Sequence, residues 1–318
     1  MNTKVLLLDT IDDAGVDIIR SFATVVDGRK YSYATLMSEI DQYDGLIIKS
    51  GNRIDGELIA RASRLKVIGR AGSGFDNIDM DAARAHGVKV VLSPDGNVSS
   101  VAEYVLCMSL LLCHKLNEAH AGSRSNDFRR HTWQGRNLEQ LNVGLVGLGK
   151  IGAGVARKLK PMCRNVFGYD PYVNDHHSLQ ASGLVLFSDL EAMLADSDIV
   201  SLHIPLTAET RHMFNHKLFK AMKRGCILVN SARGGVVEQN DLLRAFADGQ
   251  VSFAALDTLD PDPNYSATGM ETTYSHFLVH HPKVFYTPHI AAGTSDALRK
   301  VAVNMANNMR EYLVGEHV

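Results

Sequence analysis

The stretch NVGLVGLGKIG, residues 142–152, carries the reading of the fold. An apolar run ends at Gly147, and Gly147, Gly149 and Gly152 then form a G-x-G-x-x-G that opens a helix in which Ile151, Val155 and Leu159 recur every four residues. After a strand and before a helix, the first two glycines allow a tight turn and close approach of a pyrophosphate. The third lets helix and strand pack, and the helix N-terminus presents N–H groups to the anion. Lys150 and Ile151 lie inside the same turn. Eighteen residues after Gly152, Asp170 ends the run NVFGYD. A carboxylate there accepts from both ribose hydroxyls and repels a 2'-phosphate, so the expected cofactor is NAD rather than NADP. The alternative is a glycine-rich turn with a solvated Asp.

Outward from this turn the chain alternates short apolar runs with helical patterns. After residue 142 come NVGLVG, NVFGYD, DIVSLHI, CILVNSA, SFAALD and VFYTP; before it come KVLLLD, GLII, KVIGR and KVVLS. Such alternation predicts βα units and parallel sheets. The expected fold class is α/β, with two Rossmann-like, doubly wound parallel-sheet domains and a cleft between them. Residues 123–137 read as a surface loop. Ser100 followed by Glu103 reads as a capping box ahead of a helix apolar on nearly every face. Residues 295–314 read as a helix with no strand after it, able to pack back on the first sheet.

Composition narrows the function. With 318 residues, 45% hydrophobic and 21% charged, the chain has ordinary globular usage and length for about two domains. Lys+Arg number 33 against 35 Asp+Glu, a formal charge of -2 that points to neither nucleic acid nor an anionic membrane. The expected partner is a small molecule. Cys107, Cys113, Cys163 and Cys226 form no C-x-x-C pair, which suits a reducing, cytoplasmic setting. The N-terminal apolar run is too short for a signal core and reads as a strand. The run at residues 101–113 falls short of the ~20 residues that cross a membrane.

Ligands of open α/β sheets sit beyond the carboxyl ends of the strands. Arg233 follows CILVNSA, Asp257 and Asp262 follow SFAALD, and His289 follows VFYTP. Alone, each has a bland reading as a surface charge or a structural histidine. Their common place at strand ends predicts convergence on one crevice.

RAGSGFDNID (70–79), SSVAEYVL (99–106), VGLVGLGKIG (143–152), GYDP (168–171), LHIPLT (202–207), NSARGGVVE (230–238) and TPHIAAGT (287–294) resemble the D-isomer-specific 2-hydroxyacid dehydrogenase family, in the family's order. Within it the strings are similar to those of phosphoglycerate dehydrogenases, in a form without regulatory domains. The resemblance implies a substrate domain of residues 1–97 plus 294–318, an inserted NAD-binding domain of 98–293, and a homodimer. It implies hydride transfer between NAD(H) and a D-2-hydroxy acid or 2-oxo acid. Arg233 would bind the substrate carboxylate and carbonyl, His289 would act as acid/base, and Asp262 would be its acidic partner. Backbone N–H groups of Ser73 and Gly74 would form a second carboxylate clamp, and Asp257 would hold the nicotinamide carboxamide. His203, Pro205, Ser231, Ala232 and Gly293 would complete the cofactor set. No metal is expected.

One departure stands out. The family has Glu then Pro five residues after the strand-end aspartate, whereas this chain has Asp262 then Pro263, a side chain shorter by ~1.5 Å. Residues 264–281 form a longer segment than expected, a surface loop, lid or dimer contact. Its His276, His280 and His281 invite a metal reading that no acid or Cys at ligand spacing supports. Lys49 and Arg53 are either a solvated pair or contacts for a second anionic group on the substrate. The alternative function is an NAD-sensing, corepressor-like interaction protein of the same fold, since fold alone does not fix function.

Overall fold

The computed structural model describes residues 3–173, 183–263 and 274–315. These divide into two units: one of residues 3–97, Pro263 and 292–315, and one of 98–173, 183–262 and 274–291.

In the first unit, β1 (Lys4–Leu7), β2 (Thr24–Asp27), β3 (Gly45–Ile48), β4 (Val67–Arg70) and β5 (Lys89–Val91) form a parallel sheet in the order β2-β1-β3-β4-β5. Its helices α1 (Asp13–Arg20), α2 (Tyr33–Glu39), α3 (Gly56–Arg61) and α4 (Met80–Ala85) each begin at a side-chain cap, from Asp12, Ser32, Asp55 and Asp79. Such caps satisfy N–H groups that a helix start leaves open. β3 and β4 are buried at every position, as strands covered on both faces must be. Two apolar clusters flank the sheet, and the second is completed from the far end of the chain by Val301, Met305, Ala306 and Met309. β2, TVVD, is an edge strand with no buried residue, so its pattern was too weak to be read from sequence.

The second unit holds α5 (Val98–Cys113), α6 (Leu116–Arg124), β6 (Asn142–Val146), α7 (Lys150–Leu159), β7 (Asn165–Tyr169), β8 (Val185–Leu186), α8 (Leu190–Asp196), β9 (Ile199–Leu202), α9 (His216–Ala221), β10 (Cys226–Asn230), α10 (Gln239–Ala247), β11 (Val251–Leu256) and β12 (Val284–Tyr286). Its seven strands are parallel in the order β12-β11-β10-β9-β6-β7-β8. The order reverses between β6 and β9, which places a ligand crevice at their carboxyl ends. The expected α/β class with doubly wound parallel sheets is what the chain adopts. The two-residue β8 was not anticipated.

Two local expectations are corrected. Ser100 is not a helix cap, because α5 begins at Val98; the buried Ser100 hydroxyl instead donates to the Ala291 carbonyl at 2.7 Å. Glu103 takes the Ser99 hydroxyl at 3.2 Å and the Lys158 ammonium at 3.0 Å. The predicted loop at 123–137 starts inside α6, which ends at Arg124, and contains a 3₁₀ turn over Arg130–Trp133. The final helix, α11 (Ser295–Val314), is capped by Thr294 and packs against the first sheet.

Candidate active site

The site is built from the carboxyl ends of β6, β7, β9, β10, β11 and β12. At the end of β6, Gly147 turns with φ +93°, a conformation that side chains other than glycine rarely adopt. A Cβ on Gly152 would collide with the Gly147 carbonyl oxygen, so only glycine lets α7 start this close to the strand. Gly149 caps α7 without any side-chain hydrogen bond and has open space where its Cβ would stand. Gly149 and Lys150 are exposed, while Ile151 is half-buried.

Asp170 lies at the end of β7 and binds that turn. Its Oδ2 accepts from the Leu148 N–H at 2.8 Å and its Oδ1 from the Tyr172 N–H at 2.9 Å. Each oxygen keeps a further lone pair. His203 follows β9 and holds the turn from the other side, donating its N–H to the Val146 carbonyl at 2.7 Å. The His203 Nε2 is sealed from solvent and has no hydrogen-bond partner among the described residues. Burial holds its pKa down at about 4, so the ring is neutral. Pro205 is exposed on the same loop, and its carbonyl accepts from the Thr210 hydroxyl at 2.6 Å.

Arg233 is carried by a turn that Asn230 builds. The buried Asn230 side chain accepts from the Ala232 N–H at 3.0 Å and donates to the Arg233 carbonyl at 2.9 Å, fixing Ser231, Ala232 and Arg233 beyond β10. The Arg233 guanidinium donates to the Ala232 carbonyl at 2.7 Å.

Asp257 is fully buried at the end of β11. It accepts from the Thr287 hydroxyl at 2.6 Å, the Ile290 N–H at 2.8 Å and the Ala291 N–H at 2.8 Å. Burial pushes its carboxyl pKa up, opposed by these hydrogen bonds and by His289. The structure thus gives Asp257 a role that sequence reading missed: it anchors the loop bearing His289. Thr287 extends this anchor to the Tyr104 hydroxyl of α5 at 2.6 Å. Asn230, Thr287 and Tyr104 all stood inside the quoted strings, but nothing local marked them as supports.

His289 sits in the left-handed region with φ +57°, its N–H donating to the Asp257 and Thr287 carbonyls at 2.8 and 2.9 Å. Its Nδ1 is 3.4 Å from Asp262 Oδ2. The other Asp262 oxygen accepts from the Leu259 N–H at 2.7 Å, which turns the carboxylate toward the ring. The shorter acid therefore still meets the histidine.

Residues 264–273 of the expected long segment lie outside the described residues. Beyond them, His276 is buried, stacks on Tyr274 and Phe277, and accepts from the Leu278 N–H. His281 stacks on Phe246 and accepts from the Lys283 N–H. Among the described residues no group of three or more His, Cys, Asp or Glu is arranged to hold a metal.

In the first unit, Ser73 and Gly74 occupy the loop after β4, and Gly293 leads into α11. The Asn77 side chain donates to the Lys49 and Asn52 carbonyls at 2.7 and 2.6 Å, which shapes the segment carrying Lys49 and Arg53. The Lys49 N–H in turn donates to the buried Asp9 at 2.6 Å.

Residues 106–291 match the family description "D-isomer specific 2-hydroxyacid dehydrogenase, NAD binding domain". The chain belongs to the D-isomer specific 2-hydroxyacid dehydrogenase family. It is 33% identical over 98% of its length to the D-3-phosphoglycerate dehydrogenase of Synechocystis, and 34% identical over 96% to that of Archaeoglobus fulgidus. The chain spans about half the length of these relatives, 54% and 56%. The crystal structure of D-lactate dehydrogenase from Aquifex aeolicus, complexed with NAD and lactic acid, is 26% identical with a TM-score of 0.87, covering 98% of this chain and 96% of that one. The interaction-protein alternative finds no support among these dehydrogenases.

The residues present fit NAD. The open helix start at Gly149, the spare lone pairs of Asp170 and the sealed, unpartnered Nε2 of His203 all lie around the end of β6, where the family's NAD-binding domain needs anion donors and a ribose acceptor.

Proposed function

We propose that this chain is an NAD-dependent dehydrogenase of D-2-hydroxy acids, working between its substrate and the corresponding 2-oxo acid. The observation that carries this reading is His289, held by the Asp257 loop with its Nδ1 3.4 Å from Asp262. NAD, when bound, supplies the hydride chemistry, and the protein orients the reactants and manages charge and proton. Gly147, Gly149, Lys150, Ile151, Gly152, Asp170, His203, Pro205, Ser231, Ala232, Asp257 and Gly293 would hold it. Arg233 offers a planar fork to the substrate carboxylate and steadies negative charge developing on the carbonyl oxygen. With Nδ1 turned to Asp262, the working proton of His289 is at Nε2, given during reduction and taken during oxidation. Ser73 and Gly74 are assigned to the carboxylate through their N–H groups on the family resemblance.

In domain terms, residues 98–293 would bind NAD and residues 1–97 with 294–318 the substrate. A cytoplasmic location rests on the four free cysteines. A homodimer is assigned on the family resemblance.

The test is a panel of 2-oxo acids, including pyruvate and glyoxylate, read at the nicotinamide absorbance with NADH and with NADPH. Turnover with NADH preferred is expected. Tight NADH binding without turnover on any acid would return the chain to the interaction-protein reading.

A further inference from the structure

A chain of hydrogen bonds links the loops that follow β7 and β9, on either side of the crevice at the end of β6. In the sheet, β7 and β9 lie on either side of β6, so their carboxyl ends stand ~10 Å apart. The Gly-rich turn donates to Asp170 from Leu148 N–H, and Asp170 accepts in turn from Tyr172 N–H. The Tyr172 hydroxyl then crosses to the β9 side and donates to Glu209 Oε2 at 2.9 Å. The segment carrying Glu209 is itself tied down. Thr207 N–H donates to the Thr210 hydroxyl at 2.8 Å, and that hydroxyl donates to the Pro205 carbonyl at 2.6 Å.

We propose that Tyr172 and Glu209 form a clasp that closes over the adenosine end of the dinucleotide and slows its release. This rests on the reading that the crevice binds NAD, with Asp170 at the ribose. Tyr172 is 75% exposed, so its bond to Glu209 competes with water and parts readily. A weak bond spanning two separately anchored loops suits a gate, since admission and release each require it to open. The phenol belongs to the same short segment as Asp170, so closing the clasp also fixes the loop that presents the ribose acceptor. Tyr172 and Glu209 are thus cofactor-positioning residues, and neither takes part in proton transfer.

The test is NADH binding and release, followed by nicotinamide fluorescence on the full chain without any oxo acid. Tyr172→Phe keeps the ring and removes the donor; a ~3- to 10-fold rise in both Kd and release rate is expected. Glu209→Ala should do the same, and the double variant should lose no more than either single one, the mark of a shared bond. Glu209→Gln keeps an acceptor oxygen and should stay nearer the parent than Glu209→Ala. Parental Kd and release rate in Tyr172→Phe, or strictly additive losses, would overturn the clasp. So would a fall in the Tm of the unliganded Tyr172→Phe chain large enough to account for the weaker binding. Failure of the parent itself to bind NADH would overturn the dinucleotide reading, and the clasp with it.

Discussion

At residue scale the proposed assignments of Arg233 and Asp262, and the buried state of His203, can each be tested by substitution. Arg233→Lys retains the charge and loses the fork, so kcat/KM for the oxo acid should fall roughly 10²-fold while NADH affinity holds. Steady-state kinetics beside a fluorescence titration check both halves. Asp262→Asn leaves the shape and removes the charge 3.4 Å from His289 Nδ1. A loss of about 10-fold or more in kcat is expected, with substantial recovery in Asp262→Glu, whose longer side chain restores the family's usual acid. Kinetics across pH for both variants tests this. His203 gives a pH dependence of stability. Its pKa is held at about 4 in the fold against 6.5 for the free side chain, so the unfolded chain binds the extra proton between those values. Stability from this group is therefore present above pH 6.5 and lost as pH falls toward 4, by up to ~3 kcal/mol. Asp257, whose carboxyl pKa is raised, acts in the opposite sense. The drop in Tm between about pH 7.5 and about pH 5.5 should be smaller in His203→Asn than in the parent.

At the scale of elements, the junction of β6 and α7 has the least tolerance. A Cβ on Gly152 meets the Gly147 carbonyl, a backbone atom that cannot rotate away. Gly152→Ala should cost about 1–3 kcal/mol and weaken NADH binding as the turn is displaced, measured by denaturant melts and fluorescence titration. This element was legible because its signal is local: apolar strand, glycine spacing and helical periodicity lie within about twenty residues. The capping box failed for the opposite reason. Ser100 and Glu103 have the right spacing for a cap, yet α5 starts at Val98 and the Ser100 hydroxyl is claimed by Ala291, 191 residues away. β2 and β8 escaped because an edge strand needs no continuous apolar run.

At the scale of the whole molecule, the chain leaves its first unit at residue 97 and returns near 292 to finish it with α11. Val301, Met305 and Met309 enter the core beside β1, β3 and β4. Removing such side chains costs ~2–5 kcal/mol each, which together matches the 5–15 kcal/mol that stabilises a domain. A chain ending at residue 294 should therefore lose the first unit's cooperative melt while the second unit still binds NADH. Differential scanning calorimetry alongside NADH titration distinguishes this from a chain that melts as before.

The sequence by itself determined the parallel α/β class, the dinucleotide turn, the family and the strand ends at which Arg233, Asp262 and His289 stand, because each is written in contiguous residues whose spacing carries its own physics. Only the tertiary structure decided that Asp257 anchors the His289 loop, that Asn230 shapes the Arg233 turn, that the shorter Asp262 still lies beside the imidazole, and that Tyr172 reaches Glu209. Those outcomes depend on hydrogen bonds between separate strands' loops, whose partners the packed sheet selects and local spacing cannot.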